Sequence, residues 1–142
     1  MTRAAWALAL ALLAAPLAAA AAPGGHAGKG RLHYLQHCVG CHGVDGSGAP
    51  DKGVPSMPGL LMRLAALPGG RDYLVQVPGV TDSPLSDAQI AELMNWLVPK
   101  MAGDAPASGF QPYTADEVKR GRDKRPADIA TARRRLIDAL AR

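Results

Sequence analysis

The stretch Cys38-Val39-Gly40-Cys41-His42 constrains this chain more than any other. Two cysteines three apart, with a histidine directly after the second, form the pattern that attaches a c-type haem. Two intervening residues let one turn of chain offer both thiols to the two vinyl groups along one porphyrin edge. His42 then falls beneath the iron as its proximal imidazole ligand. Other chemistries compete for the same residues. A thioredoxin-like dithiol sits at a helix start within a βαβ pattern, and no strand pattern surrounds this pair. A zinc site takes four ligands, and the chain has no second cysteine pair. A disulfide between Cys38 and Cys41 stays open in an exported chain, but it leaves His42 without a role.

The address agrees with haem attachment. Arg3 gives a short positive start, Ala4 to Leu17 is an apolar run, and Ala18 to Ala22 supplies small residues for cleavage. Residues 1–22 therefore read as a secretory signal peptide, cut after Ala20 or Ala21 because Pro23 disfavours cleavage just before it. A retained membrane anchor is the competing reading, but the run is alanine-rich and short for a span. The expected location is the periplasm, as a soluble exported protein and a monomer. What remains, about 120 residues with few aromatics, makes a modest core to which a buried haem adds apolar surface.

Periodicity predicts helices throughout, and no segment alternates as a strand does. Pro23 to Gly28 reads as a flexible lead-in, and Lys29 to His37 as a short helix delivering the motif. His33 and His37, four apart, read as a solvated face. After a glycine-rich loop from Gly43 to Gly53 come short helices at Leu60–Leu67 and Arg71–Val77, each stopped by Pro-Gly. The next helix is the best signalled. Ser86 and Gln89 form a capping box, Leu85 and Ile90 a hydrophobic staple, and Ile90, Leu93, Met94 and Leu97 an apolar stripe closed by Pro99. Residues 104–113 read as a linker. Residues 114–142 form a basic helical extension, with a capping box at Thr114 and Glu117 and a final helix from about Pro126 to Ala141. The predicted fold class is all-α.

In this order of parts the chain resembles the class I monohaem c-type cytochromes, over roughly Gly28 to Gly103, which places a cytochrome domain at residues 23–103. Gly30, Tyr34 and the attachment site match the family's first helix; Leu93 and Trp96 match its last. A residue without a side chain lets two helices cross closely, and an aromatic on each side locks the crossing. Pro55, Met57 and Gly59 resemble the family's Pro-x-Leu-x-Gly segment, which implies that the Pro55 carbonyl accepts the proximal N–H of His42. The resemblance implies one covalent haem c held by Cys38, Cys41 and His42, with Tyr34, Pro55 and Trp96 supporting the site.

The sequence departs from the family where the sixth iron ligand belongs. That ligand is a methionine shortly before the last helix, whereas here Gln76-Val77-Pro78-Gly79 fills the stretch, and no methionine occurs between Arg63 and Leu93. Met57 is the first substitute, Met62 the second, and no protein ligand the third; Met94 and Met101 read as core filler. His26, His33 and His37 lie before the motif and have a long reach to make. A thioether raises the potential and excludes small ligands, as suits an electron carrier; an open position admits nitric oxide, carbon monoxide or peroxide. The first function is thus single-electron transfer between redox proteins, without catalytic residues; the alternatives are ligand binding or peroxide consumption at an open iron, and haem-free thiol-disulfide chemistry. Charge is uneven: residues 23–113 carry six basic and seven acidic side chains, residues 114–142 nine and five. The tail either packs its apolar face, with Arg133 to Arg135 solvated, or also steers the haem edge toward an acidic redox partner. Nothing points to nucleic acid, or to stable membrane insertion after signal cleavage.

Overall fold

The computed structural model describes residues 24–142, with side chains from Gly28 onward; the signal peptide and the side chain of His26 lie outside the described residues. Among the described residues eight α-helices follow in order: α1 (Gly24–His37), α2 (Val39–His42), α3 (Leu61–Ala65), α4 (Gly70–Gln76), α5 (Pro78–Thr81), α6 (Asp87–Lys100), α7 (Ala115–Asp123) and α8 (Ile129–Leu140). No strand forms among these residues; the single pairing is an isolated antiparallel bridge between Ala49 and Val54. The all-α class holds.

The body is organised on the crossing of α1 and α6. Helix α6 begins as its sequence predicts: the Gln89 N–H donates to Ser86 Oγ at 3.3 Å, and the Ser86 N–H donates to Gln89 Oε1 at 2.9 Å. Leu85 and Ile90 are buried beside this cap, as are Leu93, Met94 and Leu97 of the stripe. Pro99 lies inside the last turn instead of closing it. So near the end its missing N–H removes little of the ladder, and the Met101 N–H still reaches the Leu97 carbonyl at 2.9 Å. At the crossing, a Cβ on Gly30 would collide with the Glu92 carbonyl oxygen and with Trp96 Cβ. The Tyr34 and Trp96 rings meet there with centroids 5.5 Å apart and planes tilted by 51°.

Three local expectations change. Helix α1 starts at Gly24, so the glycine-rich lead-in is helical; glycine lowers helix propensity without barring the conformation. His33 is buried, its Nε2 3.3 Å from Glu92 Oε2, because the face it shares with Gly30 turns into the crossing; His37 is exposed. At α7, the Glu117 N–H donates to Thr114 Oγ1, but the Glu117 carboxylate turns to Arg71 instead of completing the capping box.

Residues 104–113 form no regular element but are pinned along the body. Asn95 accepts from the Tyr113 N–H at 2.6 Å and donates to its carbonyl at 3.0 Å. Arg71 stacks 3.9 Å over the Tyr113 ring and donates to the Gln111 carbonyl at 2.8 Å. Beyond this strap, α7 packs on α4 and α6, and α8 on α3 and α4. Gly121 sits so close to Val75 that any Cβ would overlap it, and buried Gln76 donates to the Gly121 carbonyl at 2.9 Å. Tyr113 and Val118 thus join the same core as Tyr34, Ile90 and Leu93. No helix among the described residues is long and apolar enough to cross a membrane.

Candidate cofactor site

The motif forms one helical turn. The Cys38 N–H bonds to the Tyr34 carbonyl at 2.9 Å, and the His42 N–H to the Cys38 carbonyl at 3.0 Å. Residues three and four apart share a helix face, so Cys38, Cys41 and His42 look the same way. All three line one cavity of about 480 Å³. Tyr34, buried behind the motif, donates from its hydroxyl to the Gly43 carbonyl at 2.6 Å and ties down the residue after His42.

The loop that follows folds back over the histidine. The Gly48 N–H bonds to the His42 carbonyl at 2.9 Å, and the Met57 N–H to the Gly46 carbonyl at 2.9 Å. Gly48 has φ of 66°, and a Cβ there would stand 2.6 Å from the Pro55 carbonyl oxygen, so only glycine lets Pro55 come in so close. Pro55 reaches the imidazole. Burial holds His42 below its ordinary pKa, while hydrogen bonding to the Pro55 carbonyl works in the opposite direction. The net downward shift favours the neutral imidazole, the form that ligates iron. The contact is loose: buried Nδ1 of His42 has no partner within strict hydrogen-bond geometry.

Most of the rest of the wall is apolar, the exceptions being His37, Ser56, Tyr73 and Arg133. Helix α4 and the turn after it bring Leu74 and Val77, α6 brings Leu93 and Leu97, and the loop brings Val54 and Met57. Burial also pushes the Cys38 thiol up, with Cys41 adding to the shift. A dithiol catalyst lowers the pKa of its attacking thiol, so this environment speaks against thiol-disulfide chemistry. The two cysteines are not bonded to each other. A largely apolar cavity edged by two thiols and an imidazole with one buried, unpartnered nitrogen fits a flat macrocycle bound by thioethers and one axial nitrogen.

The sequence-predicted residues fall in three places. Cys38, Cys41, His42, Pro55 and Met57 lie on the cavity; Tyr34 and Trp96 lie behind it, in the α1–α6 crossing. Met62 is buried in α3 but is not part of the wall, whereas Met94 is. Val77, standing where a ligand methionine belongs, does face the cavity. Sequence reasoning missed α8 altogether as a wall: Ile129, Ala130 and Arg133 line the cavity. Their spacing puts positions 129, 130 and 133 on one helix face, but spacing does not say which surface that face meets.

An all-helical body that turns two thiols and an imidazole into one apolar cavity defines a protein built to hold a haem covalently. Comparison with known proteins agrees. Two curated relatives match, both named cytochrome c-552 and both from Thermus thermophilus; each is 32% identical to this chain over 123 residues. The match covers 72% of this chain and 92% and 82% of the two relatives. The chain belongs to the c-type cytochromes, haem proteins of electron transfer whose haem c is covalent. No family model and no solved structure matches it.

Proposed function

We propose that this protein is an exported, soluble class I cytochrome with one haem c, carrying single electrons between redox proteins. The observation that carries the proposal is the shared face of Cys38, Cys41 and His42 on a largely apolar cavity. The bound haem supplies the one-electron iron couple. The chain's own residues do the rest: Cys38 and Cys41 fix the macrocycle, His42 offers a neutral nitrogen, Pro55 orients that ring, and the wall from α4, α6 and α8 excludes water. Exclusion of water lowers the local dielectric and, with axial ligation, sets the potential. The sixth ligand is sought among the wall residues, where Met57 is the first candidate and Met94 the second.

Mass spectrometry tests this reading. Protein exported from cells with haem-maturation machinery has the mass of the processed chain plus one haem, and Cys38→Ser/Cys41→Ser loses it. A mass equal to the bare chain refutes the proposal. Carbon monoxide difference spectra then separate carrier from ligand binder: a ligated iron resists carbon monoxide, an open one takes it up rapidly.

The partner surface follows from the tail. Arg122 is held by Asp87 at 2.7 Å, Arg125 by Asp82 at 3.2 Å and Lys119 by Asp123 at 2.8 Å. Arg120, Lys124, Arg134 and Arg135 are exposed. With Arg142, exposed as well, these are tail charges outside the ion pairs above, and they would steer an acidic redox partner.

A further inference from the structure

The cavity wall contains one Lys or Arg side chain and no Asp or Glu among the described residues. That side chain is Arg133, which the sequence placed with Arg134 and Arg135 in solvent. Its two neighbours are exposed, but Arg133 is half-buried, because it stands one turn after Ile129 on the face that α8 lays against the body. Among the described residues it has no hydrogen bond or ion pair. The charges near it are otherwise committed or turned away. Arg63 of α3 donates to the Leu140 carbonyl, and Arg71 of α4 pairs with Glu117. Asp72 of α4, and Arg134, Arg135 and Asp138 of α8, do not line the cavity. The ionisable groups sharing the wall with Arg133 are His37, Cys38, Cys41, His42 and Tyr73, none of them an anionic carboxylate.

A guanidinium does not deprotonate in proteins and presents a planar fork of donors that matches a carboxylate. A half-buried one without a partner, at an apolar cavity, calls for an anion. Haem carries such anions, two propionate carboxylates on the side of the ring away from the thioethers. We propose that Arg133 is a haem-binding residue that receives a propionate, so that α8 completes the cofactor site. This rests on haem occupying the cavity, as the function above requires.

The pairing has a readout other than electron-transfer activity. A cation held at a propionate offsets a negative charge that would favour ferric iron, and it keeps that carboxylate ionised to lower pH. In Arg133→Gln the ferrous-to-ferric ratio at a fixed potential falls about tenfold at neutral pH, equivalent to about 59 mV for a one-electron couple. The potential of the variant also falls as pH rises from 5 to 8 while the carboxylate ionises, whereas that of the wild type stays flatter. Histidine is the other residue type that changes charge in this range, so the comparison is repeated in a His37→Asn background. Arg133→Lys, which keeps the charge, recovers most of the shift. A purely packing role moves the melting temperature and leaves the pH profile alone.

Resonance Raman of the wild type gives a second measure that does not depend on a variant folding. Its propionate bending band lies above that of the haem peptide cut from the same protein if Arg133 holds the carboxylate. A band at the haem-peptide position, or Arg133→Gln potentials that overlay wild type at every pH, overturns the assignment. Haem staining on a denaturing gel accompanies each sample: an unstained wild type refutes haem attachment itself, and a stained one with unchanged potentials refutes Arg133 alone.

Discussion

At the scale of single residues, His42 and the wall methionines make separable predictions. His42→Ala removes the neutral nitrogen and changes the haem spectrum more than His33→Ala or His37→Ala, as optical spectra of the three variants will report. His33→Ala has its own effect through a different route. It empties a buried place at the α1–α6 crossing and removes one contact of Glu92, which Lys29 still pairs at 3.4 Å, so it costs about 1–3 kcal/mol, typical of a buried polar contact, and a thermal melt shows it as a lower melting temperature. For the sixth position, Met57→Ala and Met94→Ala are compared with Met62→Ala, whose parent side chain is off the cavity wall. A low-spin spectrum lost in either of the first two and kept in the third identifies a thioether ligand. Much of this could be read in the sequence because spacing encodes it: five consecutive residues put two thiols and an imidazole on one face. The wall membership of Met94 could not, since a buried stripe at helical spacing does not say which of its members borders a cavity.

At the scale of elements, the α1–α6 crossing was legible from Gly30, Tyr34, Leu93 and Trp96, because close helix crossings need a small residue and large ones fill the flanks. Two variants test it. Trp96 is only partly buried, so Trp96→Ala costs about 3 kcal/mol, the lower end for an aromatic truncation. Gly30→Val is at least as harmful, about 3 kcal/mol or more, since the added Cβ meets the backbone carbonyl of Glu92 and not a yielding side chain. A thermal melt of either variant that overlays wild type rules the contact out. The docking of α7 was not legible. Its capping sequence announces a helix, but the fork from Arg71 to Glu117, 2.6 and 2.9 Å, joins residues 46 apart, and pairing at that range leaves no periodic trace. Hydrogen bonding to Arg71 holds the Glu117 carboxyl below its ordinary value. A carboxylate with a depressed folded pKa adds stability above its unfolded pKa, about 4.3, and loses it as pH falls through the lower folded value. Between about pH 5 and pH 2 the melting temperature of wild type therefore falls more steeply than that of Glu117→Gln. Parallel pH profiles would mean the pair adds nothing.

At the scale of the whole molecule, a neutral body carries a basic tail, and the fold divides that charge into two sets. Arg122 and Arg125 fasten α7 and the turn after it to Asp87, Asp82 and Thr81. Arg120, Lys124, Arg134 and Arg135 stay exposed outside these pairs, and under the proposed function they meet the partner. Changing these four to Gln together slows reduction by an acidic partner at low ionic strength and flattens the salt dependence, because attraction between exposed charges is screened within about 8–10 Å at physiological salt. The melting temperature stays within a few degrees of wild type. Stopped-flow kinetics across a salt series checks it: an unchanged slope assigns docking to another face. Net charge alone could not make this division, because the sequence does not show which arginines find a fixed acid.

The place of α8 on the cavity wall also has a consequence for the order in which the protein is completed. Ribosomes make the chain from Met1 toward Arg142, so the thiols at 38 and 41 are made more than ninety residues before Arg133. A chain that stops before α8 has both thiols but lacks the side of the cavity that Ile129, Ala130 and Arg133 form. The part of the body that carries the thiols is thus made first, and the part that completes the cavity wall is made last.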